Sequence, residues 1–341
     1  MTNVNSKNLK NLVDLSLFIS SSLDLIQGAG GNTSVKDENI MWIKASGCWL
    51  SDAKNKEIFI PLDRKVALKG ILKGEEDLSA ARLLQDKYQN LRPSIEAAMH
   101  ALMPHKFVAH VHSVNVIAHA ILINGKDLIQ QKLTNLNWLW VPYVRPGLPL
   151  SRALHDMNAS EFDVIILANH GLVVGGSTKS QVLDTLAKVE EKLFRPLRTN
   201  LNKVSSFELP KLLENIEYKI PKHDLCQFLA TDKLSLEIVS NPPLYPDHVI
   251  FLGPGAIPIL SLEKFKNKTL EKSLHSKVVI IKDFGVVVRH DFSENAEEML
   301  HCLANVLLRI QPNDKLEHLK QSEESELLGW DAEKYRKSIQ R

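Results

Sequence analysis

Two histidines separated by a single residue, His110 and His112, are the side chains whose type and spacing most suggest chemistry in this sequence. They belong to the run Lys106–Ser113, KFVAHVHS, whose alternation of apolar and polar residues predicts a β-strand. Side chains two residues apart on a strand leave the same face, so both imidazoles can bind one metal ion. The same pattern is also typical of two partly exposed histidines on a sheet.

A third histidine, His170, follows the short apolar run Val164–Leu167 and precedes Gly171. The run suits a strand buried on both faces, and the end of such a strand presents side chains to a cleft. Gly171 allows close backbone approach or a positive φ. Three neutral imidazoles with one open position form the ligand set of a catalytic zinc site. We therefore predict that all three histidines bind one Zn²⁺ ion.

The carboxylate of Glu96 is the candidate general base. The sequence RPS before it predicts a helix start, with Ser94 as the cap of a helix from Ile95 to about Met103. A carboxylate beside a metal can take up and return a proton, which would make Glu96 catalytic. Acids are also favoured in the first turn of any helix by its dipole, so a structural acid is the alternative.

A glycine-rich stretch, GAGGNTS from Gly28 to Ser34, follows a helix predicted from Leu9 to Ile26. The backbone amides of such a loop can cradle an anion, although a simple chain reversal after the helix is the alternative. The stretch is neither GxGxxG after a strand nor GxxxxGK[ST]. Binding of a dinucleotide or ATP is therefore disfavoured.

The remaining elements alternate between strand and helix. Strands are predicted at Met41–Ala45 and Glu57–Pro61, and helices from Asn115 and from Ser180 to about Leu197. The fold class is therefore α/β (or α+β). A polar region from residue 199 to about residue 223 places a domain boundary near Val204. We expect a catalytic domain at residues 1–204 and a second α/β domain at residues 205–341.

The composition excludes several classes of protein. The formal net charge of +2 implies no broad basic surface, so nucleic acid is not an expected partner. No stretch approaches the roughly 18 apolar residues of a membrane span, and the start lacks a signal core, so we expect a cytoplasmic protein without membrane contact. The three cysteines are scattered, which argues against a disulfide framework and a thiolate zinc site.

Taken in order along the chain, the motifs resemble those of the class II aldolase/adducin family. They are GAGGNTS, IKASG, RPSIE, HVHS, PYVRPG and ANHGLVVGG, and they extend over roughly Leu9 to Arg198. The set is most similar to the aldolase portion of bifunctional rhamnulose-1-phosphate aldolase/dehydrogenases. No GxGxxG-type fingerprint of a dehydrogenase portion follows it.

The resemblance implies a central sheet covered by helices, as in class II aldolases, and a zinc-dependent aldehyde-lyase of carbohydrate metabolism. It would cleave or form a carbon–carbon bond in a small ketose or ketose phosphate through a metal-bound enediolate, with Glu96 moving the proton. It also implies that the enzyme is a homo-oligomer, a tetramer in related enzymes. The positions that match the family's substrate-binding residues are Gly31, Asn32, Ser46, Gly47 and Ser94.

The sequence departs from the fuculose-phosphate type of this family in two places. Ile95 stands where a second hydroxyl donor to phosphate is often found, and the tyrosine that serves as proton donor has no match. Tyr143 belongs to a different, turn-forming motif, so the general acid is unassigned. The sugar, its stereochemistry and its phosphorylation also remain open.

Other activities share this scaffold. Decarboxylases, dehydratases and epimerases of sugar phosphates are alternative enzymes, although Glu96 disfavours an epimerase, which uses an aspartate and a tyrosine in key roles. A non-catalytic adducin-like module is the alternative outside enzymes. The presence of all three histidines and Glu96 argues against such a module.

The C-terminal half is predicted to be a degenerate partial repeat of the catalytic part. Residues Phe162–Val174 align without gaps with Ser276–Val288, and Phe284 takes the place of His170. No HxH pair occurs after Val204, so the second copy has no metal site. The alternative is that any two buried strand–turn–strand units look this similar.

Overall fold

The computed structural model describes residues 6–83, 91–199, 209–214, 216–271 and 273–329. The helices are α1 (Ser6–Ser20), α2 (Arg64–Lys73), α3 (Ala97–Leu102), α4 (Val114–Ala120), α5 (Gly125–Lys132), α6 (Leu148–Asp156), α7 (Lys179–Lys192), α8 (Leu209–Leu212), α9 (Lys233–Val239), α10 (Leu262–Leu270), α11 (Glu294–Leu307) and α12 (Gln321–Gly329). The strands are β1 (Asn32–Asp37), β2 (Ile40–Lys44), β3 (Phe59–Asp63), β4 (Phe107–Val111), β5 (Trp138–Val141), β6 (Val164–Leu167), β7 (Gly171–Gly176), β8 (Tyr218–Lys219), β9 (Ile259–Leu260), β10 (Val278–Ile281) and β11 (Gly285–Arg289). The mixture of strand and helix is the α/β class expected from the sequence.

The chain divides into two compact units. Among the described residues, the first unit contains those from Ser6 to Ala120 and from Asn124 to Phe194, and the second contains Ile121–Ile123 and those from Arg195 to Gly329. The boundary predicted near Val204 lies outside the described residues. None of the described helices is both long and apolar enough to cross a membrane.

The first unit contains a mixed sheet of seven strands in the order β3-β2-β1-β4-β7-β6-β5. Strand β4 is antiparallel to both of its neighbours, β1 and β7, while β6 is antiparallel to β7 and parallel to β5. Strands β4, β5 and β6 therefore point in one direction. Their carboxyl ends and the amino end of β1 meet at one edge of the sheet, which is the edge that carries the candidate residues.

Strand β6 has the buried character that its sequence predicted. All four of its side chains are buried, as a strand covered on both faces requires. Helix α1 covers part of the sheet with Leu12, Leu15 and Ile19, which lie three and four residues apart on one face. The hydroxyls of Ser16 and Thr33 lie 2.7 Å apart, which joins α1 to β1 by a buried hydrogen bond.

Three helix boundaries differ from the predicted ones. Helix α7 ends at Lys192 instead of near Leu197, because Pro196 disfavours a helical backbone in the residue before it. Helix α1 ends at Ser20, so the residues up to Ile26 form turns before the glycine-rich loop. Helix α3 begins at Ala97, and Ser94 does not cap it, because the Ser94 hydroxyl accepts from the amide of Glu96 in a turn that precedes the helix. Glu96 is thus the residue before the helix, where its backbone is not yet helical. Prediction of a helix end from sequence is least reliable where local side-chain bonds favour a turn.

The second unit has a sheet of four strands in the order β8-β11-β10-β9. Its directions repeat those of β4-β7-β6-β5: two antiparallel pairings followed by a parallel one. The register also corresponds, because Val164 pairs with Val174 just as Val278 pairs with Val288. Each set ends in a helix of 14 residues, α7 and α11.

The turns of the two sheets correspond as well. Asn169 and Asp283 both have a positive φ, at 53° and 60°. The amide of Asn169 donates to the carbonyl of Ala120, and that of Asp283 donates to the carbonyl of Ala230. The next residue is His170 in one case and Phe284 in the other. These shared features are what the predicted partial repeat requires.

Candidate metal centre and catalytic carboxylate

The three histidines predicted as ligands lie together. The ring centroids are 4.9 Å apart for His110 and His112, 4.9 Å for His110 and His170, and 5.2 Å for His112 and His170. All three are buried, and each offers a ring nitrogen within 4.8 Å of the others. No other group of three such residues is found in the described parts of the chain. His112 lies just beyond the end of β4, yet its ring reaches the same site as that of His110.

A backbone carbonyl fixes the orientation of the His110 ring. Its Nδ1 lies 3.0 Å from the carbonyl oxygen of Leu172, which can only accept a hydrogen bond. Nδ1 therefore carries a proton and donates it to this carbonyl. The other ring nitrogen, Nε2, lies 3.1 Å from Nε2 of His112. A metal-binding histidine typically donates its other ring nitrogen to a carbonyl or carboxylate in this way.

Gly171 is required by close packing between β7 and the strand that carries the histidines. A Cβ atom at this position would lie 2.5 Å from the carbonyl oxygen of Val111, and 3.4 and 3.5 Å from the rings of His112 and His110. The absence of a side chain therefore lets β7 approach the rings of His110 and His112. The sequence predicted a close backbone approach at the glycine of the NHG motif, and the structure shows that Gly171 approaches the carbonyl of Val111.

The glycine-rich loop also packs against the histidine strand. Gly31 has φ +61°, and a Cβ atom there would lie 2.7 Å from the carbonyl oxygen of His110. A Cβ atom at Gly30 would lie 3.0 Å from Nδ1 of His112. These glycines are thus required for backbone packing beside the site, whether or not their amides also bind an anion.

Glu96 places its carboxylate among the histidines. Its Oε1 lies 3.2 Å from Nε2 of His110 and 3.4 Å from Nε2 of His170. Its Oε2 accepts a hydrogen bond of 2.5 Å from the side-chain amide of Asn32. Asn32 is directly opposite His110 across the β1–β4 pairing, which explains why it reaches the same carboxylate.

The charge of Glu96 is stabilised by its neighbours. Burial alone would raise the pKa of this carboxyl group, but the charges of the histidines and the hydrogen bond with His110 hold the pKa well below its usual value. A group with such a pKa is ionised at neutral pH. It can therefore accept a proton without first losing one.

The predicted substrate-binding residues fall into two groups. Ser46 and Gly47 lie close to Ser94, because the Ser46 amide donates to the carbonyl of Arg92 and Ala45 forms a bridge with Pro93. Gly31 and Asn32 form the second group, at the start of β1. Of these five, Asn32 already has a side-chain partner in Glu96.

A buried lysine joins the two groups, and sequence reasoning missed it. Lys44 is 2% exposed, and its Nζ donates to the carbonyls of Ala29 at 2.8 Å and Cys48 at 2.7 Å. It thus connects the glycine-rich loop to the Ser46–Gly47 loop. The only sequence signal was its position in an apolar stretch, IMWIKA, where a lysine at a strand end is usually exposed.

The residues present fit a divalent metal ion with one open position. Three buried imidazoles, one with its tautomer fixed by a carbonyl, match the donor set of catalytic zinc sites. An adjacent carboxylate lies where a proton acceptor would be useful. The arrangement therefore suits proton transfer beside a Lewis acid.

Comparison with known proteins gives a match to a family. Residues 11–193 match the profile of the Class II Aldolase and Adducin N-terminal domain. The chain is 28% identical over 174 residues to an L-fuculose phosphate aldolase of Methanococcus vannielii, covering 48% of this chain and 85% of that protein.

Two further relatives are similar over the same region. An uncharacterised oxidoreductase of Bacillus subtilis, YuxG, is 29% identical over 217 residues, which is 59% of this chain and 31% of that protein. The chain thus spans about a third of the length of this relative. The solved N-terminal class II aldolase domain of a Thermoplasma acidophilum protein is 26% identical with a TM-score of 0.49, covering 57% of this chain and 94% of that one.

Proposed function

The chain belongs to the class II aldolase and adducin family over residues 11–193, and on that premise we propose that it is a zinc-dependent aldolase. Its substrate would be a small ketose or ketose phosphate, in which it cleaves or forms a carbon–carbon bond. The observation that carries the proposal is the position of the Glu96 carboxylate, 3.2 and 3.4 Å from Nε2 of His110 and His170 in a cluster of three buried histidines.

His110, His112 and His170 would hold the ion. When bound, Zn²⁺ supplies positive charge that stabilises a negative oxygen as it develops on the substrate. Glu96 is ionised because its pKa is held low, so it removes the proton from carbon or hydroxyl and later returns it. Asn32 directs this carboxylate by its 2.5 Å hydrogen bond.

Support for an anionic substrate comes from the loops beside the carboxylate. Backbone amides and hydroxyls in these loops would bind a phosphate; they belong to Gly31, Ser46, Gly47 and Ser94. Lys44 connects the glycine-rich loop to the Ser46–Gly47 loop by its two hydrogen bonds. Ile95 contributes no hydroxyl beside Ser94, so fewer donors are available than in the fuculose-phosphate type. Asn32 would have to share its amide between the anion and Glu96.

A metal analysis combined with a screen of ketose 1-phosphates tests the proposal. We expect about one zinc per chain and release of an aldehyde together with a second carbonyl fragment. The matched control is Glu96→Gln, which should keep the metal and lose cleavage. A wild-type protein without a bound divalent ion, or without aldol cleavage of any ketose tested, would refute the aldolase assignment.

A metal-dependent decarboxylase or dehydratase of the same family is the second candidate, because it would use the same three histidines and the same carboxylate. The same screen separates these activities, because decarboxylation of an acidic sugar phosphate releases carbon dioxide and dehydration leaves the carbon chain intact. We also propose a homo-oligomer, to be tested by light scattering of the purified protein.

A further inference from the structure

The face of β1 opposite α1 contacts helix α3 through polar side chains. Asn32 and Ser34 are two residues apart on this strand and therefore point to the same side. Asn32 bonds the Glu96 carboxylate, and the Ser34 hydroxyl lies 2.8 Å from Nδ1 of His100. Two hydrogen bonds thus connect β1 to the start and the middle of α3.

Glu96 and His100 are also joined within the helix. The amide of His100 donates to the carbonyl of Glu96 at 3.2 Å, so the two residues are one turn apart. The four residues therefore form a closed ring of contacts: Glu96 to Asn32, along β1 to Ser34, across to His100, and back along the helix. One side of this ring is the catalytic carboxylate.

The contact between Ser34 and His100 determines how the His100 ring is held. His100 is completely buried, and its Nε2 has no hydrogen-bond partner among the described residues, so the ring depends on Ser34 for its one hydrogen bond. Burial, together with the nearby lysine charges, lowers its pKa well below the usual value, so the ring is neutral. It therefore contributes a directed hydrogen bond rather than a charge.

Helix α3 needs such a contact because it is short. It has six residues, far fewer than an isolated helix needs to be stable, so its position is fixed by what it packs against. Resting on the proposed function, we infer that His100 is a positioning residue that acts through Ser34 and α3 to hold the Glu96 carboxylate beside the metal ligands. His100 does not touch the reacting atoms.

Four variants test this inference: His100→Leu, His100→Asn, Ser34→Ala and the control His119→Leu. Asparagine keeps a hydrogen-bonding atom near the position of Nδ1, whereas leucine removes it. His119 is also a buried helical histidine, but its Nδ1 bonds the carbonyl of Asn115 in its own helix. Its loss should disturb packing to a similar degree without displacing α3.

The first readout is the visible spectrum of each protein loaded with Co²⁺ in place of zinc. We expect His100→Leu and Ser34→Ala to shift the spectrum towards that of Glu96→Gln, and His119→Leu and His100→Asn to stay close to the wild type. The second readout is cleavage of the best ketose phosphate. We expect kcat to fall about tenfold in the first two variants, with KM nearly unchanged.

The result that would overturn the inference is a His100→Leu or Ser34→Ala spectrum and kcat no different from those of His119→Leu. Equal effects of His100→Asn and His100→Leu would also overturn it, since the hydrogen bond would then be irrelevant. If His100→Leu does not fold, Ser34→Ala, which removes one oxygen atom, decides. If the wild type cleaves no ketose phosphate, the proposed function fails, but the cobalt spectra still determine the role of His100.

Discussion

At the scale of single residues, the sequence predicted those candidate site residues whose own side chains could bind a metal ion or transfer a proton. His110, His112, His170 and Glu96 were predicted as one site from residue type, spacing and family resemblance together, and all four lie together in the structure. Lys44 could not be identified in this way, because its partners are two carbonyls in loops far apart in sequence. Because every residue has a backbone carbonyl, the sequence does not show which carbonyl accepts a hydrogen bond from a lysine.

Loss of one imidazole should abolish tight metal binding. In His112→Ala the site keeps two nitrogen ligands, so affinity should fall by more than the roughly 10–100-fold typical of losing a residue that only supports a ligand. Metal content after dialysis, measured by mass spectrometry, checks this. The control is His105→Ala, since His105 bonds Asp163 outside the cluster and should leave the metal content unchanged. Full zinc content in His112→Ala would contradict the ligand assignment.

Replacement of Glu96 by glutamine should separate metal binding from turnover. The amide keeps the size of the side chain but cannot accept a proton, so kcat should fall by about 10²–10⁴-fold while the metal stays bound. Steady-state kinetics and metal analysis on the same sample check both parts. A variant with wild-type turnover would identify Glu96 as a structural acid at the start of a helix.

At the scale of elements, the runs with a single clear environment were predicted best. Strand β6 is apolar and buried on both faces, and its bounds, Val164–Leu167, agree with the apolar run in the sequence. The start of α3 was placed too early, because the turn at Ser94 and the helix that follows compete for the same amides. Such competition is decided by packing against β1, which no local pattern contains.

Gly171→Ala should weaken the first unit and its metal site together. The added Cβ would lie 2.5 Å from the Val111 carbonyl, so β7 must move away from β4 at a cost of about 1–3 kcal/mol. Thermal unfolding and zinc affinity should both decrease. Gly329→Ala is the control, because a Cβ atom there meets nothing within 4 Å. If Gly171→Ala is as stable as this control, the close approach is not required.

The second unit contains a buried carboxylate whose effect on stability should depend on pH. Glu298 accepts from Lys222 at 2.7 Å and pairs with His223 at 2.9 Å. Burial alone would raise the pKa of Glu298, but these two partners lower it below the usual value. A carboxyl group whose pKa is lower in the folded than in the unfolded state stabilises the fold at pH values above its unfolded pKa, and this stabilisation is lost as the pH falls through the folded pKa.

Glu298→Gln should therefore lower the free energy of unfolding at pH 7 by on the order of 1 kcal/mol, a modest value because Lys222 is exposed to solvent. The difference from the wild type in the free energy of unfolding should narrow as the pH falls below the usual pKa of a glutamate side chain and through the lowered pKa of Glu298. Urea unfolding at several pH values measures it. The exposed Glu237→Gln serves as control, and an equal, pH-independent effect of both variants would contradict the prediction.

At the scale of the whole molecule, the two units have corresponding sheets but are expected to have different roles. Strands β4-β7-β6-β5 and β8-β11-β10-β9 have the same directions and corresponding register, but among the described residues only the first set brings three histidines together. The sequence indicated the correspondence between the two sheets through one aligned segment, Phe162–Val174 with Ser276–Val288. It could not reveal the shared order of four strands, since β8 and β9 have only two residues each and no recognisable pattern.

Separate expression of residues 1–204 and 205–341 should place all metal binding in the first fragment. We expect one zinc per chain in residues 1–204 and none in residues 205–341. The first fragment should melt at a lower temperature than the full chain, because Ile123 and Leu122 then lose the backbone partners that Lys315 and Leu316 provide. Zinc bound stoichiometrically by the second fragment would disprove the assignment of domains.

The central place of β4 in the seven-stranded sheet has a consequence for biosynthesis. This strand carries His110, and it must pair with β1, made earlier, and with β7, made later. Domains generally fold as units as the chain leaves the ribosome, from the amino terminus onward. The pairing of β4 with β7 therefore cannot be completed before Gly176, about halfway along the sequence, has left the ribosome. A metal ion at the three histidines could be held only after that point.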